Sequence, residues 1–150
     1  MAERIIKTIE LAAPVSRVWR ALTDPNEFGQ WFRVQLDGPF TPGAVSTGMM
    51  TYPGCEHLPW RAVIERIDHE QFLSFRWHDF DEESGVKISE QPMTLVEFRL
   101  EPTKDGTRLT ITESGFEAIP DTRRLEVLRG NTKGWAFQAN NIEAHVKSSS

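Results

Sequence analysis

The segment that most constrains the fold is the run of residues 9–32, IELAAPVSRVWRALTDPNEFGQWF. Apolar and polar residues alternate from Ile5 to Leu11, which predicts a first strand. Pro14 then suits the first turn of a helix, and an apolar stripe follows it at helical spacing. A strand followed directly by short helices is uncommon in β-rich domains and is typical of an architecture that encloses a cavity.

A second short helix is predicted immediately after the first. Asp24 is a suitable N-cap, Pro25 fits the first helical position, and Glu27 completes the pattern of a capping box. This helix spans about two turns. Its aromatic residues fall on one side: Phe28, Trp31 and Phe32.

The middle of the chain predicts antiparallel strands, followed by one long helix. The expected strands span 44–52, 60–68, 71–80, 93–101 and 107–114. Asp105-Gly106 is a strong hairpin signal between the last two strands. Asp121 is a plausible cap for the helix. The expected buried stripe of that helix comprises Leu125, Leu128, Thr132, Trp135, Ala139, Ile142 and Val146.

Two glycines, Gly130 and Gly134, interrupt the predicted long helix one turn apart. Each should cost about 1 kcal/mol relative to alanine. One interpretation is close packing against a strand or a local kink. The other is a bare patch beside Trp135 that leaves room for a ligand.

Composition favours one domain over residues 1–147 with a frayed tail at 148–150. The net charge of −5 at pH 7 argues against a nucleic-acid partner or an anionic membrane surface. The N-terminal residues show no apolar signal region, and Cys55 is the single cysteine, so we expect a cytoplasmic protein.

Several motifs together resemble one known family. They are APVSRVWRALTDPNEFGQWF, GPFTPG, HLPWRAVIERID, FLSFRW, LVEFRLEP, GTRLTITESGF and GWAFQANNIEAHV. Their order and spacing resemble the activator of heat-shock protein 90 ATPase homologue-like family, within the START-like superfamily of Bet v 1-type proteins and polyketide cyclases. The resemblance implies an α+β helix-grip fold, in which about six antiparallel strands curve around a long C-terminal helix.

In such a fold the gap between the bent sheet and the helix is the usual binding cavity. The expected apolar walls are Trp31, Phe32, Trp60, Phe75, Trp77, Phe98 and Trp135. Ordinary core packing is the alternative for most of these residues, because large aromatic side chains also dominate cores. Gln138 follows Trp135 by one helical turn and is the expected polar contact from the helix. It belongs to a polar row with Asn141 and His145, for which a solvated flank is the alternative.

Glu113 is the polar exception on an inward strand face, since it falls on the same face as Leu109 and Ile111. A carboxylate there is costly unless it is paired or hydrated. We expect Glu113 to line the cavity and to orient a polar group of a ligand or accept a proton from it. In the alternative, Glu113 lies at a fraying strand end and reaches solvent or an arginine.

Other chemistry receives little support from the sequence. Cys55 and His57 are too few for a zinc site, so we expect no metal and no other cofactor. The pair His78-Asp79 could transfer protons, but strand alternation is expected to turn His78 outward. Signatures of phosphate-binding loops, dinucleotide sites and serine hydrolases are absent from the sequence.

We therefore predict a protein that binds a small hydrophobic ligand of aromatic, polyketide-like or lipid-like character. One alternative is a cyclase or hydrolase with Glu113 as general base. Another is a chaperone ATPase co-factor in the stress response, as the family name implies. We expect this last role to be the weaker one, since the eukaryotic co-chaperone uses additional chain for chaperone contact. A monomer or a weak homodimer is expected.

Overall fold

A computed structural model describes residues 3–148 of the chain. These residues form three α-helices and seven strands, in the order β1 (Ile5–Leu11), α1 (Val15–Thr23), α2 (Pro25–Phe32), β2 (Val34–Leu36), β3 (Val45–Met50), β4 (Pro59–Asp68), β5 (Phe72–His78), β6 (Met93–Thr103), β7 (Gly106–Ser114) and α3 (Asp121–Ser148). Residues 149 and 150 of the predicted tail lie outside the described residues. Within residues 3–148, no helix combines the length and apolar character needed to cross a membrane.

The strands form one antiparallel sheet in the order β1-β7-β6-β5-β4-β3-β2. Its register shifts between Ile64 and Arg66, where β4 pairs with β5, and such an irregularity bends a sheet. The long helix α3 contacts β1, α1 and α2. The predicted helix-grip fold is confirmed, with seven strands where about six were expected. The additional strand is the three-residue edge strand β2.

The start of α2 follows from its capping residues. Asp24 accepts hydrogen bonds from the backbone N–H groups of Asn26 and Glu27, at 2.9 and 3.0 Å. The capping box predicted for Glu27 is wrong, because its carboxylate instead accepts from Arg17 and Arg20 of α1 and contacts His145 of α3. Glu27 therefore holds three helices together.

Gly29 allows α2 and β2 to approach closely. A Cβ atom at this position would collide with the carbonyl oxygen of Val34, which is backbone and cannot move aside cheaply. The chain reverses between them at Arg33, whose φ of 70° lies in the left-handed region. This tight reversal fixes the end of α2 and with it the position of Phe32.

The buried face of α3 differs from the predicted stripe in its first half. Leu125 is 58% exposed and Thr132 is also exposed, whereas Val127 is buried. The second half agrees, because Trp135, Ala139, Ile142 and Val146 are all buried. Steps of three and four fit more than one face of a helix, and the sheet selects the face that holds Val127 and Leu128.

Candidate functional site

A cavity of about 420 Å³ opens between the bent sheet, α2 and α3. The strands and α2 contribute Phe32, Met50, Pro59, Trp60, Arg61, Trp77, His78, Thr94 and Glu113, and α3 contributes Asn131, Gly134, Trp135, Phe137 and Gln138. The remaining lining residues come from two loops: Leu58, Asp79, Phe80 and Ile88. The volume lies within the range of typical small-molecule sites, about 300–1,000 Å³.

Glu113 lies at this cavity with its side chain 0% exposed. Its Oε1 accepts from the indole N–H of Trp135 at 2.9 Å, and its Oε2 accepts from the indole N–H of Trp77 at 2.9 Å and the hydroxyl of Thr94 at 2.5 Å. The amide of Asn131 donates to both oxygens at 3.1 Å. We call these five residues the Glu113 cluster.

The Glu113 cluster joins the sheet to the long helix. Strand alternation turns Glu113 inward together with Leu109 and Ile111, all of which are buried. Thr94 lies on β6, whereas Asn131 and Trp135 lie one turn apart on α3. The rings of Trp77 and Trp135 stack at 5.5 Å with an interplanar angle of 23°. One carboxylate therefore fixes the orientation of two indole rings from opposite walls.

The alternative interpretation of Glu113 is wrong, because the side chain reaches neither solvent nor an arginine among the described residues. Among the predicted wall residues, Phe32, Trp60, Trp77 and Trp135 line the cavity. Phe75 and Phe98 do not line it and are fully buried in the core. Trp31 is also placed elsewhere, with its indole N–H donating to the carbonyl of Ala21 at 2.8 Å.

The polar row of α3 contacts α2 rather than forming a solvated flank. Gln138 lines the cavity and donates to the backbone carbonyl of Phe32 at 3.3 Å. Asn141 donates to the Oε1 atom of Gln138 at 3.0 Å, and His145 lies 2.9 Å from Glu27. Gln138 thus couples the cavity wall on α3 to the end of α2.

Asp79 is a second carboxylate that lines the cavity. Burial raises the pKa of Asp79, and the nearby charges of Asp81 and Glu113 act in the same direction. Arg123 opposes this shift, because its guanidinium donates to the Oδ2 atom of Asp79 at 2.7 Å. Arg123 also lies 3.9 Å from Asp81.

His78 is held as a neutral imidazole by its two partners. Its Nδ1 lies 3.0 Å from the carbonyl oxygen of Gln91, which can only accept, and its Nε2 lies 2.7 Å from Arg61, which can only donate. These partners assign the proton to Nδ1. Burial lowers the pKa of His78 and the Arg61 charge lowers it further, whereas the bond to Gln91 has the opposite effect. The acid–base pair of His78 and Asp79, which the sequence did not favour, is not formed in the structure, since each residue has another partner.

Two contacts tie down the loop of residues 52–58, which ends next to the lining residues Leu58 and Pro59. The rings of Tyr52 and Phe137 meet edge to face at 5.9 Å, which links the loop before β4 to α3. His57 of the same loop pairs with Glu82 at 2.8 Å. His57 therefore connects this loop to the acidic segment after β5.

The two helix glycines occupy open space. A Cβ atom at Gly130 or Gly134 would meet no heavy atom within 4 Å outside the helix itself. The interpretation of close packing against a strand is therefore wrong. Gly134 lines the cavity, whereas Gly130 does not.

Some site residues were not predicted, although their spacing along a strand or a helix could have identified them. Thr94 precedes the inward-facing Val96 by two residues on β6, and Asn131 precedes Trp135 by one helical turn. Both spacings place the missed residue on the face of its predicted neighbour. Asp79, Phe80 and Ile88 lie outside regular strands, where no such periodicity applies.

Comparisons with known proteins agree with this architecture. The model of a family described as "Activator of Hsp90 ATPase homolog 1-like protein" matches residues 12–147. A solution structure of a protein from Arthrobacter aurescens is 21% identical, covers 100% of this chain and 92% of its own, and has a TM-score of 0.80. Protein MLL2253 from Mesorhizobium loti is 22% identical, with 99% of each chain covered and a TM-score of 0.78.

A third solved structure is DynU16, described as a protein in the dynemicin biosynthetic locus. It is 21% identical and has a TM-score of 0.72, with 96% of this chain and 47% of its own covered. No curated protein matches the chain. At these identities the solved structures support the shared fold alone.

Proposed function

The chain belongs to the Activator of Hsp90 ATPase homolog 1-like family, and on this premise we propose that its cavity binds a small, largely apolar aromatic molecule. The ligand lies against the indole of Trp77 and the ring of Phe137, at the mouth between the loop before β4 and α3. Gly134 leaves the space beside Trp135 that the ligand needs.

The Glu113 cluster is the observation that carries this proposal. Burying a carboxylate in a protein core costs folding free energy, and apolar side chains of similar size would fill the same space without that cost. Here it orients two aromatic rings at the wall of a cavity of suitable size. An apolar cavity with a few well-placed polar groups is the common form of a small-molecule site.

The description of one similar solved structure supports a ligand of this kind. DynU16 is described by its place in a biosynthetic locus, which is a context of small organic molecules. On this basis we propose that the ligand of the present chain belongs to a polyketide-like class.

We propose a positioning role for Glu113 rather than proton transfer. A carboxylate offers about four lone-pair sites. Trp77, Thr94, Asn131 and Trp135 make five hydrogen bonds to its two oxygens. A general base needs an acceptor site that faces the substrate. Turnover of a bound compound that is lost in Glu113→Gln while binding persists would contradict this assignment.

A thermal-shift screen against flavonoids, phenolic acids, sterols and fatty acids tests the binding proposal. A ligand at 100 times its Kd adds about 2.7 kcal/mol to the free energy of unfolding, so a genuine ligand raises the melting temperature clearly. We expect stabilisation by aromatic compounds. A screen that is negative for all four classes would overturn the proposal.

A matched pair of variants locates the site. Gly134→Leu places a large side chain in the cavity, whereas Gly130→Leu places the same side chain one turn away, outside its lining. We expect binding of a screening hit to be lost in the first variant and retained in the second. Equal affinity in both variants would place the ligand elsewhere.

A further inference from the structure

The side-chain amide of Asn131 has a fixed orientation at the cavity wall. Its Nδ2 atom lies 3.1 Å from each oxygen of Glu113. A carboxylate can only accept hydrogen bonds, so these contacts assign the NH₂ group of the amide to the side that faces Glu113. The Oδ1 atom of Asn131 therefore faces away from Glu113.

This Oδ1 atom is an acceptor without a donor. Within residues 3–148, no N–H or O–H group donates a hydrogen bond to it. Every buried side-chain nitrogen and oxygen in that part of the chain has a partner, so this unpartnered oxygen is not buried. Asn131 as a whole is half-buried and lines the cavity. Its oxygen is therefore open to a donor on a bound molecule.

The surface of α3 beside Asn131 is bare. Gly134 follows Asn131 by three residues, so the two are neighbours on one face of the helix. A Cβ atom at Gly134 would meet no heavy atom within 4 Å outside the helix itself. Both residues line the cavity. A ligand that fills the space at Gly134 is thus adjacent to the Asn131 amide.

Two other polar side chains of the cavity are already occupied. The hydroxyl of Thr94 donates to Glu113 and accepts from the indole N–H of Trp77 at 3.0 Å. The amide of Gln138 donates to one partner within the protein and accepts from another. Asn131, by contrast, keeps an acceptor that the fold leaves without a partner.

The charges at the cavity favour an uncharged donor on the ligand. Arg61 lines the cavity, and it donates to the neutral imidazole of His78 at 2.7 Å, so no negative charge offsets it at this contact. The carboxylate of Asp79 is offset by Arg123 at 2.7 Å. These contacts give a ligand ammonium no advantage, and a ligand carboxylate has no hydrogen to donate to Asn131. A hydroxyl group supplies the donor without a charge.

From these contacts we infer that the ligand carries a hydroxyl group on its aromatic body, and that this group donates to the Oδ1 atom of Asn131. The inference rests on the proposed function and adds the polar group that the ligand needs. The contact with the Glu113 carboxylate polarises the amide and makes its oxygen a better acceptor. A ligand that covers this oxygen without donating to it leaves it unpaired, which costs affinity. Glu113 is then a positioning residue that acts through Asn131.

Three probes with one ring system test this hydrogen bond on the full chain. They are 2-naphthol, 2-fluoronaphthalene and 2-methoxynaphthalene, titrated near neutral pH and monitored by calorimetry. The fluoro compound resembles the hydroxyl compound in size but has no donor, and the methoxy compound keeps the oxygen as an acceptor only. We expect 2-naphthol to bind about tenfold more tightly than either of the other two.

A matched pair of variants tests whether Asn131 causes this order. In Asn131→Leu we expect the affinity for 2-naphthol to fall by about tenfold, while the affinity for 2-fluoronaphthalene stays within about twofold. The fluoro compound therefore reports whether the variant cavity remains intact. Asn140→Leu is the control, because Asn140 is exposed on the same helix outside the cavity lining and should change neither affinity. In the wild type, the side-chain amide signals of Asn131 in ¹H–¹⁵N spectra should shift more with 2-naphthol than with 2-fluoronaphthalene.

The outcomes separate the hydroxyl inference from the proposed function. Fluoro or methoxy affinities that equal or exceed the 2-naphthol affinity overturn the inference, yet they leave an aromatic-binding cavity standing. A preference for 2-naphthol that persists unchanged in Asn131→Leu also overturns it, as do equal shifts of the Asn131 amide signals with both compounds. Binding by none of the three probes overturns it too, and the screen of four compound classes then decides separately on the cavity.

Discussion

At the scale of single residues, Glu113 determines the local architecture. In Glu113→Gln one acceptor oxygen becomes an N–H donor, so at least one of the buried donors of Trp77, Thr94, Asn131 or Trp135 loses its partner. An unsatisfied buried polar group costs about 1–3 kcal/mol, and we expect the free energy of unfolding to fall by that amount. Urea denaturation measures the change.

A control on the neighbouring strand separates this effect from a general loss of charge. Glu97→Gln on β6 should change the free energy of unfolding by no more than about 0.5 kcal/mol. An equal loss in both variants would show that the hydrogen bonds of the Glu113 cluster are not the cause.

His78 gives the protein a pH dependence with a definite sign. Its pKa in the folded state is lowered from 6.5, so the unfolded chain binds this proton more readily than the folded chain. The contribution of neutral His78 is therefore complete above pH 6.5 and is lost as the pH falls below that value. Urea denaturation of the wild type and of His78→Gln between pH 8 and pH 5 measures it.

We expect the stability difference between the two proteins to shrink as the pH falls. The raised pKa of Asp79 has the opposite sign, since its favourable contribution is present below pH 3.8 and is lost as the pH rises. A stability difference that stays constant from pH 8 to pH 5 would contradict the account of His78.

The sequence could predict some of these residues and not others for a physical reason. Alternation along β7 indicates the inward face of Glu113, and the same argument along β6 would have found Thr94. Alternation does not distinguish Trp77 at the cavity from Phe75 in the core, because both face inward on β5. That difference depends on how the sheet bends and where α3 crosses it.

At the scale of elements, the two glycines of α3 are positions where a substitution can stabilise the protein. A methyl group at either position meets open space. Alanine in a helix interior is favoured over glycine by about 0.5–1 kcal/mol, so we expect Gly130→Ala and Gly134→Ala each to raise the free energy of unfolding by that amount. Thermal and urea denaturation measure the gain, and a loss in either variant would mean that the helix needs a glycine there.

The contact between Tyr52 and Phe137 restrains the loop before β4. The loop also closes on itself through backbone bonds from Cys55 to Tyr52 and from Leu58 to Cys55, and His57 pairs with Glu82. Removing the ring in Phe137→Ala should speed amide hydrogen exchange over residues 52–58, because the loop loses a contact to α3. Leu125→Ala on the same helix, also an exposed apolar residue, should leave this exchange unchanged. Equal exchange in both variants would mean that the ring contact does not hold the loop.

The order of the strands and helices was easier to predict than the short edge strand or the buried face of α3. Pro14 and Asp24 mark helix boundaries through local chemistry, and those boundaries are found. The predicted hairpin is also found, with its turn at Lys104-Asp105 and Gly106 as the first residue of β7. β2 was missed because three residues are too few to show the alternation of apolar and polar residues that identifies a strand. The first half of the α3 stripe was wrong because Leu125 fits helical spacing equally well, and only tertiary packing turns it outward.

At the scale of the whole molecule, the cavity is assembled from parts far apart in the chain. Trp77 and Glu113 are separated by 36 residues and Glu113 and Trp135 by 22, yet one carboxylate bonds both indoles. The sequence resemblance predicted the fold that brings them together. It could not predict the shared carboxylate, because that depends on the register of β7 against β6 and on the rotation of α3.

The indole N–H signals of the five tryptophans test the central claim most directly. In ¹H–¹⁵N spectra, with each signal assigned by a single Trp→Phe variant, a stabilising aromatic compound is titrated into the protein. The signals of Trp77 and Trp135 should shift together and saturate with one Kd. Those of Trp19 and Trp31, which lie outside the cavity lining, should stay in place. Saturable binding that leaves Trp77 and Trp135 unshifted would contradict the account.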